Sequence, residues 1–162
     1  MKKYIPLLFL VLCPILSRAQ VSEQFPVFPN CENLQSKNLE TCFYTQIQDF
    51  VYANFKVPEN LQQSNFKGNV VVLFEVDDKG SFKVQYVDAI DAALITESKR
   101  VFGLFPKVKP PMYNGQATYA RYTINIAIPL KSAAEIVAEA AIEKKAAALT
   151  KDKTKNQTEC SD

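Results

Sequence analysis

The stretch Gly68 to Gly80 constrains the fold of this chain more than any other. Val70, Val72, Phe74 and Val76 alternate with Val71, Leu73 and Glu75. β-Branched and aromatic side chains at period two suit a pleated strand with one face in a core. The second face is also largely apolar, which predicts partial cover, as on an inner strand. Asp77, Asp78, Lys79 and Gly80 then make a tight turn: glycine accepts a positive φ, and the aspartates bond to their own backbone. Alternation resumes from Ser81 to Val87 and puts Phe82, Val84 and Tyr86 on one face. The whole reads as a hairpin whose apolar side must be covered by its flanks.

Ahead of it the chain opens with an address. Lys2 and Lys3 precede an apolar run from Tyr4 to Leu16, and Ser17 and Ala19 are small residues at the positions a signal peptidase inspects. Pro6 and Pro14 interrupt the run, which is shorter than the roughly 20 apolar residues of a bilayer span. Residues 1–19 are read as a cleaved signal peptide, with Gln20 the first mature residue and no stable membrane span left after cleavage. Cys13 is a poor lipoprotein acceptor, because bulky Leu12 precedes it and Pro14 follows.

The remainder of the 162 residues suits one domain plus a tail. A net charge of +2, with basic residues scattered rather than grouped with aromatics, argues against nucleic acid as a partner. There is no histidine, which excludes imidazole metal sites and any triad with that base. No metal or cofactor is expected. Asp77, Asp78, Asp88 and Asp91 all have turn or cap roles, so no catalytic constellation emerges and the chain does not read as an enzyme. Cys31 and Cys42 close a short loop, and export favours a disulfide between them. Cys160 is left as a tail thiol or as the means of an intermolecular bridge, which would make a homodimer.

Leu39, Cys42, Phe43, Ile47, Phe50, Val51 and Phe55 follow one helical face, with Asn38 or Ser36 as cap and Glu40, Thr41, Gln48 and Asp49 elsewhere. Pro58 marks the end of that helix. The aromatic stripe reads as core. Asp91 opens a second helix carrying Leu94, Ile95, Val101, Phe102 and Phe105, and Pro106 ends it. Pro106 to Gln116 reads as a loop, with three prolines and an Asn114-Gly115 pair. The last strand puts Ala120, Tyr122, Ile124, Ile126 and Ile128 on one face and Tyr119, Arg121, Thr123, Asn125 and Ala127 on the other, until Pro129 stops it. The expected fold is α+β: two helices packed on a three-stranded antiparallel sheet, in the order helix, strand, strand, helix, strand, with a C-terminal helical tail. Such a sheet has two edges open to a partner strand.

Phe28-Pro29-Asn30-Cys31-Glu32, the later Cys42, Asn54-Phe55-Lys56-Val57-Pro58, Gly68 to Gly80, Phe105-Pro106-Lys107-Val108-Lys109-Pro110, Asn114-Gly115 and Ile126-Ala127-Ile128-Pro129-Leu130 together resemble the C-terminal domain of the TonB energy transducers. The cysteine pair makes the resemblance strongest to the versions common in Bacteroidetes. It implies a TonB-like domain over residues 20–130, located in the periplasm. The domain would capture an extended, TonB-box-like segment of an outer-membrane receptor on the strand from Ala120 to Ile128, with Arg121, Thr123 and Asn125 on its polar face. Ala120, Arg121, Tyr122, Thr123, Ile124, Asn125 and Ile126, with Val57 and Pro58, are the implied partner-binding residues. The family's second contact, a Tyr-Pro pair, is here Val57-Pro58, so its tyrosine is missing. A working transducer also resembles an inner-membrane helix joined to a proline-rich spacer, whereas here a signal peptide leads almost directly into the domain. The expectation is therefore a periplasmic binder without its own anchor.

Residues 131–150 read as an Ala-rich helix, capped by Ser132 and Glu135, and residues 151–162 as a disordered end. The alternative to receptor capture is a structural or secretion-associated role, with assembly through this helix and Cys160. A binder of small molecules among the Phe and Tyr side chains is a third reading.

Overall fold

A computed structural model describes residues 22–158. The signal peptide, Gln20, Cys13 and Cys160 lie outside the described residues. In chain order the elements are β1 (Glu23–Gln24), a 3-10 turn (Pro29–Cys31), α1 (Ser36–Asn54), α2 (Glu59–Gln63), β2 (Gly68–Val76), β3 (Phe82–Asp88), α3 (Ala92–Phe102), β4 (Met112–Tyr113), β5 (Gln116–Ala117), β6 (Ala120–Ile128) and α4 (Ala133–Thr158). The fold is α+β, and its main sheet has the order β3-β2-β6, antiparallel throughout.

The inner position of β2 accounts for its two apolar faces. Val70, Val72, Phe74 and Val76 are buried under the helices, whereas Val71, Leu73 and Glu75 are half-buried between flanking strands. Asp77 holds the following turn: its Oδ1 accepts from the amides of Lys79 (2.9 Å) and Ser81 (2.8 Å). Gly80 has φ +75°, and a Cβ there would collide with the carbonyl oxygen of Val108, so its bare backbone is required twice over.

The expected alternation in β3 holds only for its first half. Leu73 pairs with Tyr86 but Phe74 pairs with Val84, so Gln85 is an extra residue in a bulge. The slip turns Tyr86 out to 61% exposure and buries Val87 in its place. Tyr86 therefore does not share a face with Phe82 and Val84, because one extra residue reverses every side chain beyond it.

On the core side α1 lies over β6 and β2, and α3 over β2 and β3. Phe43 of α1 stands 4.8 Å from Tyr122 and 6.4 Å from Phe74, ring to ring. Phe74 in turn lies 4.9 Å from Phe102 of α3. Leu39, Phe43, Ile47 and Val51 are the buried stripe of α1. Its cap position is held by Gln35 without a side-chain bond, rather than by Asn38 or Ser36. Cys31 and Cys42 lie at disulfide distance, Cα to Cα 6.1 Å, and tie the 3-10 turn to the first turns of α1. At the other end the Arg100 guanidinium donates to the carbonyl of Asn54 (2.8 Å) and to Glu97 (2.6 Å), while Glu97 also accepts from the Lys56 amide (2.7 Å). One carboxylate thus fastens the end of α1 to α3. Asp91 caps α3 by accepting from Ala93 N at 2.7 Å.

The short elements α2, β1, β4 and β5 differ from the expected order. Pro58 ends the extended link after α1 but also opens the short helix α2. The Pro106 to Gln116 region, read as loop, contains a hairpin: Asn114 (φ +49°) and Gly115 (φ +79°) turn β4 into β5, and β1 pairs with β4. The single expected sheet is therefore accompanied by a second, small three-stranded one, β1-β4-β5. Two-residue strands carry no alternation long enough to read.

α4 runs to Thr158, past Thr150 where the sequence reading ended it. Its capping box is present: Glu135 Oε2 accepts from Ser132 N at 2.8 Å and from Ser132 Oγ at 2.9 Å. The Asp49 carboxylate accepts from Ala133 N (3.2 Å), and Gln48 Nε2 donates to Lys131 O (2.8 Å), which docks the start of α4 on α1.

Candidate functional site: the β6 edge

β6 is nine residues long and stays in unbroken register with β2, from Gly68 opposite Ile128 to Val76 opposite Ala120. Among the described residues it pairs with no other strand, so its outer side is an unpaired sheet edge. The opposite edge, β3, is interrupted by its bulge and carries exposed Lys83, devices that discourage strand addition. β6 has no bulge.

Ile124 and Ile126 are buried against the helices, Ala120 and Tyr122 are half-buried on the same face, and Arg121, Thr123 and Asn125 are exposed on the other. The alternation read from the sequence is the one found. Arg121 Nε meets Glu75 Oε2 at 3.1 Å across the strand pair. The Tyr122 phenol is pushed up by burial and by the nearby Glu23 carboxylate, and Tyr44 is pushed up by burial and by Glu40. Both rings stay protonated at neutral pH and remain hydrogen-bond donors.

The residues implied by the resemblance are brought together only in part. Val57 lies beside the end of β6, with Ile128. It lines a cleft of about 350 Å³ beyond the strand's last residues, with Leu61, Phe66, Ile128, Pro129 and Leu130. Pro58 starts α2 instead and is not among the lining residues.

The structure adds a groove of about 240 Å³ beside the middle of β6. Its walls are Tyr44, Thr45 and Gln48 of α1, Ile124 and Asn125 of β6, and Ala133, Ile136 and Val137 of α4. The sequence reading had set Gln48 off the apolar face, but docking of the α4 start buries it. In the sequence Ile136, Val137, Ala140 and Ala141 form a shallow apolar side of α4, and the first two of them face this groove.

Among the described residues no group of three or more His, Cys, Asp or Glu side chains is placed to hold a metal ion. No described helix is long and apolar enough to cross a membrane. The chain matches no family model, no curated protein and no solved structure.

Proposed function

We propose that the chain is a protein-binding module that pairs the outer edge of β6 with an extended segment of a partner, as the TonB C-terminal domains it resembles pair with outer-membrane receptors. The observation that carries this reading is the regular nine-residue β6 lying at the sheet edge with no second strand beside it among the described residues. The main-chain groups of alternate β6 residues, those directed away from β2, offer donors and acceptors that suit an added strand. The alternation of Tyr122, Ile124 and Ile126 with Arg121, Thr123 and Asn125 then gives each face of an added strand different neighbours. Location in the periplasm and a receptor as the partner follow from the resemblance.

A photo-crosslinking residue at Thr123, exposed on the open face of β6, tests it in intact cells of the native host. Capture of the N-terminal segment of an outer-membrane receptor is the expected result. Capture of nothing, or only of the chain's own α4, overturns it.

A further inference from the structure

An added strand would not meet β6 on open ground. Cross-strand neighbours project to the same face of a sheet. Ile124 points to the helix side, so the partner residue opposite it enters the groove between α1 and α4. That groove is mostly apolar, through Tyr44, Ile124, Ile136 and Val137. Its size suits one aliphatic or aromatic side chain, with small or polar residues on either side.

Charge around the groove has a definite sign. No cation lines the groove, and of those on the flanking segments Arg121 is engaged with Glu75 at 3.1 Å and Lys131 with Glu139 at 2.6 Å. Glu40 lies one helical turn before Tyr44 on α1 and is exposed, and Glu23 is exposed in β1, two residues before Phe25, whose ring lies 5.6 Å from Tyr122. Neither of these carboxylates has an ion-pair partner among the described residues. Both stand toward the Tyr122 end of the strand, Glu23 acting on Tyr122 and Glu40 on Tyr44, so an approaching chain meets carboxylates there.

We infer that α4 supplies the second wall of a selective groove along β6, which takes an extended segment with a large apolar side chain opposite Ile124 and a cationic residue at the end beside Tyr122. This rests on the edge-pairing reading above. It makes the C-terminal helix, which the TonB resemblance does not cover, part of the recognition surface.

The probe is a set of synthetic heptapeptides of serine and threonine, with leucine, phenylalanine or glycine at the centre and lysine or glutamate at both ends. Binding is followed by amide shifts in the 15N-labelled chain and by fluorescence anisotropy. Leucine- and phenylalanine-centred peptides are expected to bind about tenfold more tightly than the glycine-centred one, since burying such a side chain is worth that much. An Ile136→Ser/Val137→Ser double variant should lose this preference while the β6 amides still respond. Both side chains are partly exposed, Val137 at 68% and Ile136 at 37%, so the variant keeps its fold. Lysine-ended peptides should bind better than glutamate-ended ones, and Glu23→Gln/Glu40→Gln should erase that difference. Peptides that shift the β6 amides without a centre preference, with one that survives in the serine variant, or with no dependence on end charge, overturn the inference and leave edge pairing standing. Failure of every peptide to shift the β6 amides removes edge pairing and the inference with it.

Discussion

Gly80 shows how one residue couples two distant segments. Its carbonyl accepts from Val108 N at 3.0 Å, and its φ of +75° suits glycine. Gly80→Ala is expected to destabilise the fold by about 2 kcal/mol or more, through the forced positive φ and the collision with Val108. A lowered urea midpoint with unchanged slope is the check. The turn itself was legible in the sequence, because Asp77 and Gly80 are the residues such a turn demands. Contact with Val108 was not, since it joins positions far apart in the chain. Cys31 and Cys42 were legible as a pair because their short spacing, together with a leader that reads as a signal peptide, favours a bridge. Tyr86 was misplaced, because a bulge shows in the pairing of two strands and leaves no mark on one.

The joint between α1 and α3 is a second kind of coupling, between elements. Glu97 is held below the usual carboxylate range, first by its hydrogen bond from Arg100, then by that from the Lys56 amide. A carboxyl whose folded value is lowered stabilises the fold above its unfolded pKa, about 4.3 for Glu, and loses that contribution as pH falls through the folded value. Melting temperature measured from pH 7 down to pH 2 should therefore fall less steeply in Glu97→Gln than in the parent, and the variant should already melt lower at pH 7. Equal slopes would show that the joint carries no pH-dependent stability. The helices themselves were legible because their apolar stripes extend over several turns. α2, at five residues, is too short to carry such a stripe.

At the scale of the whole molecule the main sheet is covered on one face and open on the other, with its regular strand at an edge. Hydrogen exchange should reflect this. Amides of β2 from Val71 to Val76, paired on both sides, are expected to be protected, whereas in β6 alternate amides, those directed away from β2, should exchange fast. Uniform protection of β6 would mean that its outer edge is covered in solution. The sequence by itself determined the three long strands, the helices α1 and α3, the cysteine pair and the side-chain alternation of β6. Each is written in a local period, a cap or a spacing, which a chain displays without reference to its fold. Only the tertiary structure decided that β2 lies between β3 and β6, that β1, β4 and β5 form a second sheet, and that the start of α4 walls a groove beside Ile124. Strand order and helix docking depend on which apolar faces meet across long stretches of chain, and a local period carries no record of its partner.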